Sequence, residues 1–65
     1  MSTFLIISSN GTSEWIQSFL DVQIEMNSLE KQGVVSNVNV QNFIDNKLNK
    51  SFTYDFDGLN WEKRK

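Results

Sequence analysis

The stretch SFTYDFDGLNWEK at residues 51–63 restricts what this chain can fold into more than any other. Asp57-Gly58 is a dipeptide of the two-residue hairpin turn, whose central residues need positive φ. Turning there opposes Phe56 to Leu59, Asp55 to Asn60, Tyr54 to Trp61, Thr53 to Glu62 and Phe52 to Lys63. Side chains alternate along a strand, so Phe52, Tyr54, Phe56, Leu59 and Trp61 share one face. Ser51, Thr53, Asp55, Asn60, Glu62 and Arg64 share the other. A one-residue slip would mix the two sets, and the pattern therefore pins a register.

The same acids invite a calcium reading, which fails on spacing. An EF-hand loop needs oxygen ligands at its first, third and fifth positions, Gly at the sixth and a bidentate Glu at the twelfth. With Gly58 as the sixth residue, Asp55 and Asp57 fall third and fifth, but Thr53 is first and Arg64 is twelfth. No metal site is expected here.

Size and residue usage narrow the chemistry further. A chain of 65 residues is near the lower limit for one core without covalent or metal staples, so 1–65 reads as a single domain. It has no Cys and no His, which removes disulfides, thiolate metal sites and the commonest general base. Ser8 and Ser9 thus have no imidazole to activate them. The sequence SSNG at 8–11 lacks the Lys of a phosphate-binding loop. Asp55 and Glu62 would lie on an open hairpin face, with no desolvated pocket to set two carboxyl pKa values apart. No catalytic residues, cofactor or enzymatic activity are expected.

Charge is uneven along the chain. Residues 1–45 carry five acids against one Lys, for −4, and residues 46–65 carry five bases against three acids, for +2. The basic end is too small and too mixed for an electrostatic footprint on nucleic acid. The longest apolar run is FLII at 4–7, far short of a membrane span. The sequence MSTFLIISS lacks the basic start of a signal peptide. A soluble, cytoplasmic location is expected. Eight Asn with no Ala is the residue usage of AT-rich coding sequences, such as those of many phages and low-GC bacteria.

TFLIISS at 3–9 reads as a strand with both faces apolar, hence a central one. TSEWIQSFLDVQIEMNSLEKQG at 12–33 reads as one long helix, capped by Thr12 or Ser13 and stopped at Gly33. Trp15, Phe19, Val22, Met26 and Leu29 form its core stripe, within an arc of about 80°. A second row, Ile16, Leu20 and Ile24, lies round the helix from that stripe. Asp21 and Glu25 belong to the remaining polar face. Alternation in VQIEM is a competing strand signal. VVSNVNV at 34–40 reads as a second strand. Val40, Phe43, Ile44 and Leu48, at i, i+3, i+4 and i+8, predict a short amphipathic helix capped by Asn39.

These elements predict an α+β fold in the order β-α-β-α-β-β. A three- to four-stranded sheet would carry a C-terminal β-hairpin packed on one long and one short helix. If the first two strands were parallel, the long helix would be their right-handed crossover. The hairpin aromatics could stack on single-stranded nucleic acid, but the core needs the same rings. The function expected is therefore a small non-catalytic interaction module, of the kind by which a phage or mobile element blocks a host defence or transcription protein. Its partner-binding residues would be Ile16, Leu20, Ile24, Asp21 and Glu25. The alternative is a homodimeric, antitoxin-like regulator that binds nucleic acid through the basic C-terminal end.

Overall fold

A computed structural model describes residues 2–33 and 37–64. Its elements are β1 (Ser2–Ser8), β2 (Gly11–Thr12), α1 (Phe19–Lys31), β3 (Asn37–Ile44), β4 (Lys47–Phe56) and β5 (Trp61–Lys63). The strands form a single five-stranded antiparallel sheet in the order β2-β1-β3-β4-β5, so the molecule is a small α+β domain. Strand β1 is interior, as its two apolar faces predict. The strand signal at 34–36 lies outside the described residues.

The long helix is shorter than expected. It begins at Phe19, with Ser18 in an extended conformation as N-cap and its hydroxyl accepting the Asp21 N–H at 3.2 Å. Residues 11–16 instead run back along the outer edge of β1. Ser13 donates its N–H to the Ile6 carbonyl at 2.8 Å, and Phe4 and Ile16 exchange backbone hydrogen bonds at 2.8 and 2.9 Å. The Ser13 hydroxyl accepts the Ile6 N–H at 2.9 Å. The reason is the outer edge of β1: without this return segment its backbone groups would face no protein partner. The first turn of the expected helix is exchanged for a closed edge.

The short helix does not form. Residues 37–56 make a hairpin instead, turning at Asp45 and Asn46 with φ of 50° and 65°. Positive φ at both central residues is what the two-residue hairpin turn requires, and Asp and Asn tolerate it better than other side chains. The helical spacing of Val40, Phe43, Ile44 and Leu48 was a coincidence of two strands. Phe43 and Leu48 are cross-strand partners, while Val40 points to the opposite face from Phe43. Strands β1 and β3 are also antiparallel, so α1 is not a crossover between parallel strands. Among the described residues the order is β-β-α-β-β-β, with five strands where three or four were expected.

The core lies between α1 and one face of the sheet. Ile6, Val38 and Val40 project from the sheet and meet Val22, Met26 and Leu29 from the helix, all buried. Each such side chain contributes about 1.5–3 kcal/mol by leaving water. Phe4, Ile16, Tyr54 and Trp61 pack half-buried around them. Trp15 does not join this stripe. It lies off the helix, with its ring edge-on to Phe43 at 5.2 Å. Phe19 stays half-exposed against the Phe4 ring at 6.0 Å.

A polar group closes the far end of the core. Asn42 is buried, and its Nδ2 donates to the Ser2 hydroxyl at 2.7 Å and to the Thr3 carbonyl at 3.2 Å. Its Oδ1 accepts from Asn49 at 3.1 Å. Asn49 is the residue without a cross-strand partner at the register shift beside Asn42. The bulge thus supplies the hydrogen bond that Asn42 needs in order to be buried.

Candidate functional site

Five residues were expected to bind a partner, and the structure divides them. Leu20 and Ile24 stand on α1, one turn apart, 66% and 59% exposed. At about 100° per residue they sit opposite Val22, Met26 and Leu29, and so form the outer crest of the helix. Ile16 is not beside them. It lies in the return segment, paired with Phe4 and packed against the core. Its place in the row depended on a helix that starts six residues later than expected. The sequence carries the right start in Ser18 and Asp21, an N-cap residue with an acid three positions on.

Asp21 and Glu25 are exposed, as the polar helix face requires. They lie on the side of the crest that faces β2. Glu25 lines a recess of about 390 Å³ with Ser13, Glu14, Trp15 and Ile16. Trp15 is 53% exposed, with its ring against Phe43. None of Glu14, Asp21 and Glu25 makes an ion pair among the described residues.

On the other side of the crest the helix and the β4–β5 hairpin leave an open groove of about 420 Å³. Tyr54 and Trp61 belong to the sheet side of this groove. Phe19, Gln23 and Asn27 line its helix side, and Leu59 and Asn60 its far lip. Leu59, 85% exposed, was expected on the aromatic face of the hairpin. The observed register explains the change: Phe56 pairs with Trp61, Asp55 with Glu62 and Tyr54 with Lys63. This is two residues along from the register that a turn at Asp57-Gly58 would set. A shift of two keeps every strand side chain on its face, but it moves Leu59 into the loop, at the mouth of the groove.

The loop holds that position through Asp57. One of its carboxylate oxygens accepts the N–H groups of Asn60 and Leu59, both at 2.8 Å. These bonds, Asn60 first, hold the Asp57 carboxyl below the usual carboxylate range. Gly58 takes φ of 104° in the same turn, a backbone position that favours glycine. Burial raises the Tyr54 hydroxyl. The Trp61 Nε1–H is buried with no acceptor among the described residues.

The basic end is partly neutralised within the hairpin. Arg64 grips Asp55 with two hydrogen bonds at 2.6 and 2.9 Å, which lowers the Asp55 carboxyl. The Lys63 ammonium lies 4.6 Å above the Phe52 ring. Among the described residues no group of His, Cys, Asp and Glu is gathered that could hold a metal ion. Among the same described residues, no helix is long and apolar enough to cross a membrane. Comparison of the chain with protein-family models, with curated proteins and with solved structures finds no match.

Proposed function

We propose that this protein is a small non-catalytic binding module that engages another protein through the crest of α1 and the groove beside it. One observation carries the reading: Leu20, Ile24 and Leu59, three large and highly exposed apolar side chains, border the same groove. Scattered single apolar residues are ordinary on a protein surface, but a contiguous set around a concave site marks an interaction surface. The aromatic rings of Tyr54 and Trp61 belong to the sort of half-buried surface on which partner anchors gain most. A protein of this size and residue usage, acting as an inhibitor of a host protein, would work by occupying its target's surface.

The nucleic-acid reading has less support, because Arg64 and Lys63 are already engaged by Asp55 and the Phe52 ring. Titration with short DNA and RNA at about 50 mM salt tests it, and binding that falls steeply as salt rises would restore it. The protein-binding reading is tested by comparing wild type with Leu20→Glu and Leu59→Glu as affinity baits in a host lysate. Both variants should keep the wild-type thermal melt and lose the captured protein. Unchanged capture by both folded variants would refute the reading.

A further inference from the structure

The two sides of the α1 crest differ in charge, and that difference describes the occupant. Around the helix axis, Gln23 and Asn27 fall about 60° to the groove side of Leu20 and Ile24, whereas Asp21 and Glu25 fall about 100° round on the other side. The groove lining, from Phe19 and Gln23 across to Asn60 and Trp61, carries no ionisable group except the Tyr54 hydroxyl. The opposite side presents Glu14, Asp21 and Glu25, with no ion pair among the described residues. Residues 13–31 hold four acids against Lys31 alone, and of the four only Glu30 falls, at about 100° per residue, in line with Phe19 and Gln23 on the groove side. Three carboxylates, Glu14, Asp21 and Glu25, thus lie along one flank of the apolar crest.

We propose that the occupant is a basic amphipathic helix of another protein, lying along α1 with its apolar seam on Leu20, Ile24 and the groove and its Lys or Arg residues over Glu14, Asp21 and Glu25. This rests on the protein-binding reading above and specifies its partner. A helix suits the crest because Leu20 and Ile24, at i and i+4, form a ridge that packs into the groove between side-chain rows of another helix. The orientation follows from the charge. An acidic flank on the partner would face three carboxylates, and like-charge juxtaposition excludes it. A cationic side chain in the recess lies beside both Glu14 and Glu25. Leu59 and the groove take the apolar residues on the uncharged side.

The test uses two synthetic helical peptides of about 15 residues with the same Leu seam, one with Lys along a single flank and one with Glu there. Binding is followed by fluorescence anisotropy of a labelled peptide. The Lys peptide should bind at least about tenfold more tightly than the Glu peptide at ~100 mM salt, and should weaken as salt rises. Glu14→Lys combined with Glu25→Lys should abolish or reverse that preference. Leu20→Glu, which only adds negative charge, should still lose the Lys peptide. If Leu20→Glu keeps it, the attraction is plain electrostatic adhesion and the proposal is overturned. If both peptides bind wild type equally and both are lost in Leu20→Glu, the charge assignment falls while the protein-binding reading stands. If neither peptide binds, this inference falls, and the lysate comparison decides separately whether the crest binds protein at all.

Discussion

Trp61 stands directly opposite Phe56 across β4 and β5, with ring centroids 5.3 Å apart and planes at 60°. This tilted pair fixes the last strand of the sheet and, through it, the position of Leu59 beyond the strand. The pairing places a half-buried indole beside the groove and an exposed leucine at its mouth.

The pair should be energetically coupled. A double-mutant cycle with Phe56→Ala and Trp61→Ala should give an interaction of about 0.5–1.5 kcal/mol by urea denaturation. A cycle between Tyr54 and Trp61, the pair expected from a turn at Asp57-Gly58, should give less. Equal coupling in the two cycles would contradict the observed register.

Burial separates the two rows of α1. Met26→Ala removes a side chain from the core and should cost about 2–5 kcal/mol, whereas Leu20→Ala on the crest should stay within about 0.5 kcal/mol. Urea midpoints of the two variants, measured together, check this. A large loss for Leu20→Ala would mean that the crest is structural.

The Asp45–Asn46 turn depends on residues that accept positive φ. Asn46→Val forces a β-branched side chain to φ near 65° and should cost about 1–2 kcal/mol. Asn46→Gly, which suits that conformation, should cost nothing measurable. Thermal melts of the two variants distinguish a turn effect from loss of a side-chain contact, because both remove the Asn46 amide.

Asp57 makes the hairpin loop sensitive to acid. Its carboxyl is held below the ordinary value of 3.8 in the folded protein, by the Asn60 N–H first and the Leu59 N–H next. A group depressed by folding stabilises the fold above its unfolded pKa and loses that contribution as pH falls through the folded value. Stability should therefore decline from about pH 4 downward. Asp57→Asn keeps an acceptor oxygen but no longer titrates, and its decline should be shallower. Asp55, lowered by its hydrogen bonds to Arg64, contributes in the same direction and should preserve part of the slope. Urea midpoints between pH 2 and 7 give both curves, and superimposable curves would remove Asp57 as a source.

Local sequence determined whatever depends on alternation or on a single backbone conformation. Phe52, Tyr54, Phe56 and Trp61 share a strand face because alternation leaves no other choice, and this survived a two-residue change of register. FLII at 4–7 belongs to an interior strand because both its faces are apolar. Leu20 and Ile24 lie away from Val22, Met26 and Leu29 because helical geometry separates them, wherever the helix begins.

Tertiary structure decided the rest, through hydrogen bonds between one segment's backbone and another's. Residues 11–16 have helical spacing, yet the outer edge of β1 satisfies its backbone by drawing them into the sheet, which carries Ile16 to the core and Trp15 towards Phe43. Residues 40–48 have helical spacing as well, yet β3 pairs with both β1 and β4 and commits them to strands. Leu59 reached the groove because the loop follows the Asp57 hydrogen bonds and the Phe56–Trp61 pairing, not the local preference of Asp-Gly. The period of a segment's side chains does not name the partner of its backbone, and in this protein backbone partners decided which surfaces stayed open.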